Sequence, residues 1–508
     1  MFTQVFSAAI YGVDARVVRV EADVSDGLPS FSMVGYVSAQ VKEAQDRVRT
    51  AVRNIGLALP PKRVTINLAP ADIRKEGPRF DLPIAAAILC AAGRIAPSAL
   101  KDTMILGELG LNGAVCPVSG ILPSVLAARE CGCRVCILPF ANLTEGRNVQ
   151  GIRMVGLTAL DELLTYCRNP EGYEQREPEK GGNNTEGRTG DFADIHGQEQ
   201  VKRAAVLSVA GFHNLLLIGP PGSGKTMAAS RLPGLMPDMT DEESLEVTKI
   251  YSVAGLLAGQ TSLLRERPFR APHHTISPRA LAGGGRFPRP GEITLAHRGV
   301  LFLDEFPEFS RTSLEILRQP MEDKRIVIAR SQGTVAFPAD FILVAAMNPC
   351  PCGHYPDMNR CTCTPGQISA YIHRISQPLL DRMELCVEAP ALSYAELGRP
   401  GDRMDTGTLK GQVADAFAIQ KKRYREERFF YNSQLGAGDL KRYCPLSQEA
   451  ESALMRMYDK LGLSARACHR LIKVARTAAD LDRSDCIEKK HMLEACGYRN
   501  AGKKFWNI

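Results

Sequence analysis

The alternation of hydrophobic and polar positions divides the chain of 508 residues into three patterned regions and one polar interval. Residues 1–168 and 191–392 combine short apolar runs, which predict strands, with apolar positions at helical spacing. Residues 393–508 carry helical spacing alone. Residues 169–190 contain almost no apolar side chain and are rich in Gly, Asn and Glu, so we predict a mobile linker there.

The patterned regions differ in the elements they predict. In the first region, hydrophobic runs predict strands at 17–22 and 64–68. Between them, residues 39–55 predict one helix. The apolar side of this helix is formed by Val41, Ala44, Val48, Val52 and Ile55. In the second region, strand and helix patterns alternate as in a parallel sheet. The predicted fold class is therefore α/β: a separate α+β domain, a parallel-sheet domain and a C-terminal helical domain.

Composition narrows the class of protein only slightly. The net charge of +7 and the pI of about 8.7 permit a nucleic-acid partner without requiring one. No apolar run is long enough to predict a membrane-spanning helix, and no basic stretch precedes an apolar one at the N-terminus, as a secretory signal would need. The 15 cysteines are then expected to be reduced thiols or metal ligands. We therefore predict a cytoplasmic protein without a membrane partner.

The most informative motif is a glycine-rich loop between a predicted strand and a predicted helix. Residues 219–226 read GPPGSGKT, with an apolar run before them and helical spacing after them. In such a loop the backbone N–H groups and the helix N-terminus bind phosphate, the Lys reaches the outer phosphates and the Thr ligates Mg²⁺. The predicted nucleotide-binding residues are Gly219, Pro220, Pro221, Gly222, Ser223, Gly224, Lys225 and Thr226.

A second motif follows further along the chain, where residues 299–306 read GVLFLDEF. It predicts a buried strand that ends in two carboxylates. Asp304 is expected to hold the Mg²⁺ shell, and Glu305 to orient or deprotonate a water molecule. Taken singly, the first motif is compatible with a glycine turn before a helix, and the second with any buried strand. Together they predict an enzyme that hydrolyses ATP with Mg²⁺ as cofactor.

The region that carries these motifs resembles the AAA+ ATPases, and further strings support the resemblance. The string DFADIHGQ, residues 191–198, is similar to the segment that lines the adenine in that family, which implies that Ile195 contacts the nucleotide. The string ILVAAMN, residues 342–348, is similar to the first sensor, which implies that Asn348 helps to position the attacking water. Alone, each string has an ordinary explanation as a loop before a helix or as a buried strand.

Two arginine-bearing strings extend the resemblance to a ring. QPLLDR, which ends at Arg382, is similar to the helix end that carries the arginine finger, a side chain that reaches a neighbouring subunit's site. Arg374 is the second candidate, and a surface ion pair is the alternative. LSARACHR is similar to the second sensor, which implies Arg466, with Arg470 four residues further on the same helix face. The implied assembly is a homo-oligomeric ring, a hexamer in this family.

A long basic insert separates the two nucleotide motifs. The basic residues that we single out in it are Arg267, Arg270, His273, His274, Arg279, Arg286, Arg289 and Arg298. After it, 326–328 and 334–337 predict two strands joined by a turn at 331–333. Such an insert and hairpin resemble the branch of Mg-chelatase motor subunits and MCM replicative helicases, which implies that they line the ring pore and contact single-stranded or branched DNA through its phosphates. The alternative is that the arginines form ion pairs between subunits.

Four cysteines form a compact pattern directly after Asn348. Cys350 and Cys352 are followed, after eight residues, by Cys361 and Cys363. Two readings stay open: a Cys₄ zinc site with tighter spacing than usual, for which His354 is a substitute ligand, or four unligated thiols. A second group, Cys131, Cys133 and Cys136, lies where the pattern predicts a strand, and we predict that these are small core residues.

The first region resembles the Lon protease domain over residues 62–139, on the strings NLAPADIRKEGP and GELGLNG. Lon proteases use a Ser–Lys dyad. Where the Ser would follow Gly77-Pro78 this chain has Arg79-Phe80-Asp81, and where the Lys would lie it has Leu122. The domain is therefore predicted to be proteolytically inactive. Its neighbouring basic residues Arg74, Lys75 and Arg79 are candidate nucleic-acid contacts.

The order of these parts resembles the ComM/YifB family over essentially the whole chain. The resemblance implies a hexameric helicase that promotes branch migration during homologous recombination and natural transformation. The alternative is a chelatase-type ATP-dependent remodeller of a protein or metal-insertion partner. No integrin-like metal-binding domain is evident in the sequence, which disfavours that alternative. An ATP-dependent protease would need the dyad that is missing.

Overall fold

The computed structural model describes residues 2–177, 190–257, 263–285, 288–330, 333–391 and 404–506. The chain divides into two compact units. The first comprises Met1–Asn184, Asp241–Leu264 and Pro288–Pro290, and the second comprises Thr185–Thr240, Arg265–Phe287 and Gly291–Ile508. Each unit is therefore assembled from three separate segments of chain. The predicted domain boundaries at 168, 190 and 392 stay predictions.

The first unit is built on a seven-stranded mixed sheet in the order β3-β4-β2-β1-β5-β8-β9. Its strands β1, β2 and β4 are antiparallel neighbours, whereas β5, β8 and β9 run parallel. The strands, with the separate β6–β7 ribbon, are β1 (Phe2–Tyr11), β2 (Asp14–Ser25), β3 (Ser30–Val34), β4 (Arg63–Ala69), β5 (Thr103–Ile105), β6 (Glu108–Leu109), β7 (Val115–Cys116), β8 (Val135–Pro139) and β9 (Arg153–Leu157). The strands predicted at 17–22 and 64–68 are confirmed as parts of β2 and β4.

The helices of this unit cover the sheet. They are α1 (Ala39–Lys42), α2 (Ala44–Asn54), α3 (Asp81–Ala91), α4 (Ile121–Glu130), α5 (Leu143–Gly146) and α6 (Leu160–Arg168), with short 3₁₀ turns at Pro78–Phe80, Pro97–Leu100 and Phe140–Asn142. Every residue of α3 is buried, because this helix packs against β1, β2 and α2. The single helix predicted at 39–55 is interrupted at Glu43, although the predicted apolar positions Val41, Ala44, Val48 and Val52 are buried.

The first part of the predicted linker is packed rather than free. The Tyr173 ring stacks edge-on against Tyr166 of α6, with centroids 5.5 Å apart. The Gln175 side chain accepts a hydrogen bond from the Gly156 backbone N–H at 2.7 Å. These aromatic and amide side chains therefore contact the domain, and the linker at 169–190 stays a prediction. Residues 178–189 of the predicted linker lie outside the described residues.

The second unit contains a five-stranded, all-parallel sheet in the order β11-β14-β17-β10-β18. The strands from Leu215 onward are β10 (Leu215–Ile218), β11 (Phe269–Arg270), β12 (Gly283–Gly284), β13 (Arg289–Pro290), β14 (Val300–Leu303), β15 (Arg325–Arg330), β16 (Gly333–Pro338), β17 (Ile342–Met347) and β18 (Leu385–Glu388). All residues of β10, β14 and β17 are buried, as expected for a parallel sheet covered on both faces. In such a sheet the carboxyl ends of the strands share one edge, where ligands bind.

The helices from Glu199 onward flank this sheet or form the C-terminal part, except for α9, which belongs to the first unit. They are α7 (Glu199–Gly211), α8 (Lys225–Leu235), α9 (Asp241–Ala254), α10 (Pro278–Ala282), α11 (Glu292–Leu295), α12 (Arg311–Ile316), α13 (Arg318–Asp323), α14 (Pro365–Ile372), α15 (Gln377–Leu380), α16 (Thr406–Arg423), α17 (Leu440–Tyr443), α18 (Gln448–Leu461), α19 (Ala465–Leu481) and α20 (Lys489–Trp506). Short 3₁₀ turns lie at Phe192–Asp194, Phe306–Glu308 and Asn432–Gln434. Beyond residue 403 the described elements are all helical, and the predicted α/β class with a helical C-terminal region is confirmed. None of the described helices is long and apolar enough to span a bilayer.

Helix α9 lies in the first unit although it follows α8 of the second by only a short connection. It packs against α4. The Ser252 hydroxyl donates to Oε1 of the buried Glu145 at 2.5 Å, and the Ser252 carbonyl accepts from the Gly120 N–H at 2.9 Å. These hydrogen bonds fix a segment from the middle of the sequence inside the N-terminal unit.

Candidate active site

The glycine-rich loop leaves the carboxyl end of β10 and leads directly into α8. Gly222 and Gly224 have φ angles of +76° and +80°, which L side chains rarely adopt. A Cβ on Gly219 would lie 2.1 Å from the carbonyl oxygen of Ala389, so only glycine fits beside this strand end. The loop geometry thus depends on the three glycines of the motif, and the N-terminus of α8 faces it.

Lys225 is buried in this loop with 8% of its surface exposed. Its Nζ donates to the carbonyls of Gly219 at 2.7 Å and Pro220 at 2.9 Å. It also donates to Oδ1 of Asn348 at 3.3 Å. Burial lowers the pKa of Lys225, and the Asp304 carboxylate opposes that shift. The structure therefore brings together the loop lysine and the amide at the end of β17 that the sequence predicted as a sensor.

The Thr226 hydroxyl donates to Oδ2 of Asp304 at 2.7 Å. Asp304 follows the last residue of β14, so the two parallel strands β10 and β14 deliver these side chains to the same sheet edge. A hydroxyl and a carboxylate oxygen are hard donors of the kind that Mg²⁺ takes. The two residues therefore fit the predicted magnesium site.

Glu305 lies next to this pair in a left-handed backbone conformation, with φ at +50°. Its N–H donates to Oδ1 of Asp304 at 2.9 Å. Its own carboxylate is more than half exposed, and Oε2 lies 2.9 Å from Nδ1 of His274. The strained backbone turns the Glu305 side chain away from the strand and toward the insert.

The contact between His274 and Glu305 was missed by the sequence reasoning, which treated His274 only as one of the basic residues of the insert. The ring of His274 also lies 4.1 Å from the ring of His273, centroid to centroid, and packs edge-on against Phe309. The only sequence signal is position: the two histidines follow β11, the strand beside β14, and so lie near its carboxyl end.

The segment at the start of the second unit ties the loop to the helical part. Ile195 is buried, with 4% of its surface exposed, after the 3₁₀ turn Phe192–Asp194. Gln198 Nε2 donates to the carbonyl of Ser223 in the glycine-rich loop at 2.7 Å. Oδ1 of Asp191 accepts hydrogen bonds from the Thr406 N–H and hydroxyl, each at 2.8 Å. Ile195 thus lies three residues before Gln198, which contacts the loop. The contact of Ile195 with adenine stays a prediction.

Arg382 lies near the amino ends of the strands of the same sheet, opposite the carboxyl ends where the glycine-rich loop lies. It precedes β18, whose first residue, Leu385, pairs with the first residue of β10. The Arg382 carbonyl accepts from Asn214 Nδ2 at 3.0 Å, just before β10. A strand of four residues spans about 13 Å, so the Arg382 backbone is separated from the glycine-rich loop of its own chain by the length of β10. Its Nη2 pairs with Glu322 of the same chain, and Nη1 donates to the Pro378 carbonyl at 2.5 Å.

The other predicted arginines are placed differently. Nη1 of Arg374 donates to Oε2 of Glu308 at 2.7 Å, and half of the Arg374 side chain is exposed. Arg466 is exposed in the first turn of α19. Burial lowers the pKa of Arg470, with Glu384 the strongest opposing charge. None of the hydrogen bonds or ion pairs described for the chain joins Arg466 to the glycine-rich loop, so its role as second sensor stays a prediction.

Three arginines of the basic insert form hydrogen bonds or ion pairs with other residues of the same chain. Arg267 donates to the carbonyl of Pro237 at 2.6 Å. Arg270 forms a two-pronged pair with Glu292 at 2.6 and 2.8 Å. Arg298 pairs with Asp340 at 3.4 Å. Backbone and carboxylate oxygens of their own chain bind these three arginines, and their contact with DNA stays a prediction. Arg286 lies outside the described residues.

The predicted hairpin is confirmed as the antiparallel pair of β15 and β16. Ile326 and Ile328 on β15 and Val335 and Phe337 on β16 are buried on one face. The turn residues 331 and 332 lie outside the described residues. Hydrophobic alternation therefore fixes which hairpin face packs on the unit, and the other face is exposed.

Two exposed arginines from the insert and the hairpin flank one glycine. A Cβ on Gly284 would lie 3.6 Å from Nη2 of Arg330 and 3.9 Å from Cγ of Arg279. Both arginines are exposed. The insert helix α10 and the tip of β15 thus present positive charge to solvent at the same place.

The four cysteines after Asn348 converge. Their sulfur atoms all lie within 4.8 Å of one another. Cys350 Sγ is 3.4 Å from that of Cys352 and 3.8 Å from that of Cys361, and the last two are 3.6 Å apart. Four thiolates at about 2.3 Å from a tetrahedral zinc would lie about 3.8 Å apart. The donor set and these distances fit zinc. The His354 side chain is exposed and outside the cluster.

The second cysteine group, Cys131, Cys133 and Cys136, lies only partly in the core. Cys133 and Cys136 are buried, and Cys136 lies on β8, but Cys131 is exposed after the end of α4. Burial raises the pKa of Cys133 to about 12. The prediction of core residues on a strand is therefore wrong for Cys131, because the apolar run begins only after the turn.

Of the two positions where Lon proteases carry their dyad, Arg79 contacts α4, the helix that carries Leu122. Arg79 Nη1 donates to the Ser124 hydroxyl at 3.4 Å, and the Leu122 N–H donates to Oε1 of Glu145 at 2.9 Å. Burial lowers the pKa of Arg79 to about 10, with Glu145 opposing the shift. Arg79 and Lys75 are buried, so the expectation that they touch nucleic acid is wrong. The remaining member of that group, Arg74, pairs with Glu76 at 3.0 Å.

Three family models match parts of the chain. Residues 191–397 match the family described as magnesium chelatase, subunit ChlI, and residues 403–499 match its C-terminal family. Residues 20–142 match the family described as subunit ChlI of Mg-chelatase. The parallel sheet, the glycine-rich loop and the helical C-terminal region define an AAA+ protein of the Mg-chelatase type, for which ATP and Mg²⁺ are the implied cofactors.

Full-length relatives define the family more closely. The chain is 43% identical over 501 residues to the competence protein ComM of Haemophilus influenzae, covering 97% of each chain. It is 44% identical over 499 residues to YifB of Escherichia coli K12, covering 97% of this chain and 96% of YifB. Lon protease 2 of Bacillus subtilis is 28% identical over 128 residues, 25% of this chain and 22% of that protease. The chain belongs to the ComM/YifB family of Mg-chelatase-like AAA+ proteins.

Proposed function

We propose that this protein is an ATP-hydrolysing ring motor that acts on DNA and promotes branch migration during homologous recombination, in natural transformation where the host takes up DNA. The name of the ComM relative, a competence protein similar over 97% of both chains, points to this process. The observation that carries the DNA contact is the convergence of exposed Arg279 and Arg330 beside Gly284.

ATP hydrolysis would use the residues at the carboxyl edge of the parallel sheet. Lys225 and the loop N–H groups bind the phosphates, and Thr226 and Asp304 hold Mg²⁺, which neutralises charge on the phosphates. Glu305 orients and deprotonates water, and Asn348, hydrogen-bonded to Lys225 at 3.3 Å, positions that water beside the outer phosphate. The contacts of Lys225 with Asn348 and of Thr226 with Asp304 support these proposed roles.

The DNA contact would come from the exposed side of the insert and hairpin. Arg279 and Arg330 stand on different elements but share one surface, so both reach the same stretch of phosphate backbone. Because arginine binds phosphate oxygens without reading bases, the contact is expected to be independent of DNA sequence. ATP-driven movement of this surface within a ring would pull the bound DNA strand and so move the branch point along the DNA.

The proposal is tested by ATPase activity and strand displacement on single-stranded, forked, three-way and four-way DNA, with the oligomer size measured with and without ATP. We expect DNA to stimulate turnover and branched DNA to be unwound. Turnover that ignored every DNA substrate would contradict the proposal and favour the chelatase-type remodeller.

Removing the two arginines together is expected to weaken DNA binding. In the Arg279→Ala/Arg330→Ala double variant, each lost phosphate contact should lower the slope of log affinity against log salt by about 0.7 on single-stranded DNA. The basal ATPase should persist. A double variant of the same charge, Arg425→Ala/Arg483→Ala, removes two exposed arginines, 75% and 72% exposed, from the helical part. Equal loss of DNA affinity in both double variants would contradict the assignment.

His274 is expected to influence turnover through Glu305. Since its Nδ1 lies 2.9 Å from Oε2 of Glu305, His274→Ala should release that carboxylate and lower kcat by between about 10- and 100-fold, with little change in KM. Steady-state kinetics measures both constants. His274→Asn, whose amide nitrogen can replace Nδ1, should restore part of the activity. His273→Ala is the matched control, because Nδ1 of His273 bonds Thr275 instead. A similar kcat for the two alanine variants would refute the role.

A further inference from the structure

The cysteine cluster occupies one loop between two parts of the nucleotide site. It begins two residues after Asn348, at the end of β17, and its last member, Cys363, precedes α14. All 15 cysteines of the chain are free thiols, so no disulfide closes this loop. The four sulfur atoms nevertheless lie within 4.8 Å of one another. This set of four converging sulfur donors selects zinc or an iron–sulfur cluster.

The loop is packed directly on the glycine-rich loop. Gly353, which lies between the two cysteine pairs, has a φ angle of +82°. A Cβ placed there would lie 2.5 Å from Cδ and 3.0 Å from Cγ of Pro221. Pro221 is part of the phosphate-binding motif. The backbone at Gly353 therefore approaches the phosphate loop as closely as a glycine allows.

The loop is also fixed at both ends to residues of the site. Asn348 accepts a hydrogen bond from Lys225. Tyr371 in α14 is buried, with 6% of its surface exposed. At the start of α14, Thr364 and Gln367 form a reciprocal capping box directly after Cys363. A metal that joins the two cysteine pairs would hold β17, the loop and α14 as one body.

The geometry points to a structural zinc ion, held by Cys350, Cys352, Cys361 and Cys363, that clamps the loop after Asn348 onto the phosphate loop and makes nucleotide binding and turnover depend on metal loading. The inference rests on the ATP turnover proposed above. Zinc in this position binds no substrate. It fixes Asn348 and Pro221, and its loss frees the loop from the nucleotide site.

The first test measures metal in the full chain purified under reducing conditions. We expect about one zinc per chain by elemental analysis. Cys361→Ser/Cys363→Ser should lose the metal and bind a fluorescent ATP analogue about 10- to 100-fold more weakly, while circular dichroism shows that the protein remains folded. Cys131→Ser, an exposed cysteine of the first unit, is the matched control and should keep both properties. Absence of zinc from the wild-type protein, or iron with sulfide in its place, would overturn the assignment.

The second test separates the clamp from metal binding. Gly353→Ala leaves all four ligands in place but forces Cβ against Pro221, so the zinc content should stay unchanged while nucleotide affinity and turnover fall. Gly366→Ala in α14 is the control, since a Cβ there meets nothing within 4 Å. Full nucleotide affinity in Gly353→Ala would overturn the coupling. Metal content and nucleotide binding are measured without DNA. A failure of the proposed DNA activity would therefore not change the outcome of this test.

Discussion

Glu305→Gln is expected to lower ATP turnover by about 10²- to 10⁴-fold, the usual contribution of a general base. Glutamine keeps the size of the side chain and its contact with His274 but cannot accept a proton from water. Nucleotide binding should persist, because Glu305 lies beyond the Thr226–Asp304 contact and does not touch the glycine-rich loop in the described hydrogen bonds. The variant should therefore bind ATP but hydrolyse it only very slowly.

Single-turnover hydrolysis and binding of a fluorescent ATP analogue measure the two effects separately. Lys225→Ala is the comparison: it removes the ammonium that bonds Gly219 and Pro220, so it should lose binding as well as turnover. Turnover of Glu305→Gln close to that of the wild type would rule out Glu305 as the base. Loss of binding in both variants would mean that Glu305 supports the fold of the site.

Arg382→Ala is expected to lower kcat by about 10³- to 10⁵-fold if Arg382 acts as an arginine finger. The Arg382 backbone lies at the amino ends of the parallel strands, a strand length away from its own loop, so an arginine finger at this position would act on a neighbouring subunit. Binding of ATP to the variant should persist. Turnover and binding assays on the purified protein measure the two effects.

Mixing two inactive variants tests whether neighbouring subunits share one active site. Arg382→Ala subunits have intact loops, and Lys225→Ala subunits have intact arginines, so a mixed ring should recover some activity. No recovery at any ratio would contradict the assignment in trans. Glu322→Gln is the matched control, because it breaks the pair with Arg382 within the chain and keeps the arginine. A loss in Glu322→Gln equal to that in Arg382→Ala would show that the ion pair itself is what matters. Arg374→Ala tests the second candidate.

Sequence was most informative where function depends on local backbone geometry. The glycine-rich loop, the strand that ends in Asp304 and the strand that ends in Asn348 each combine an apolar run with a polar terminus. A parallel sheet places all such termini on one edge, so the contacts of Lys225 with Asn348 and of Thr226 with Asp304 follow from topology. The hairpin of β15 and β16 likewise followed from alternation over a few residues.

Sequence failed where a side chain finds its partner through tertiary packing. Arg267, Arg270 and Arg298 look like exposed positive charge in a basic insert, yet their partners are a distant carbonyl and the carboxylates of Glu292 and Asp340. The pairing of His274 with Glu305 is of the same kind, because the two residues come from neighbouring strands. Spacing along one segment carries no information about such partners.

The placement of α9 limits how this chain can be cut. A fragment that starts at residue 191 would keep α9 but lose α4 and Glu145, the partners of its buried side. Leu245, which packs against a cluster of the first unit that includes Ile121 and Val125, would then face solvent. Such a fragment would carry an unprotected apolar helix between the ATP loop and the basic insert and would tend to aggregate. Expression of the ATPase half alone therefore also requires deletion or polar replacement of 241–264.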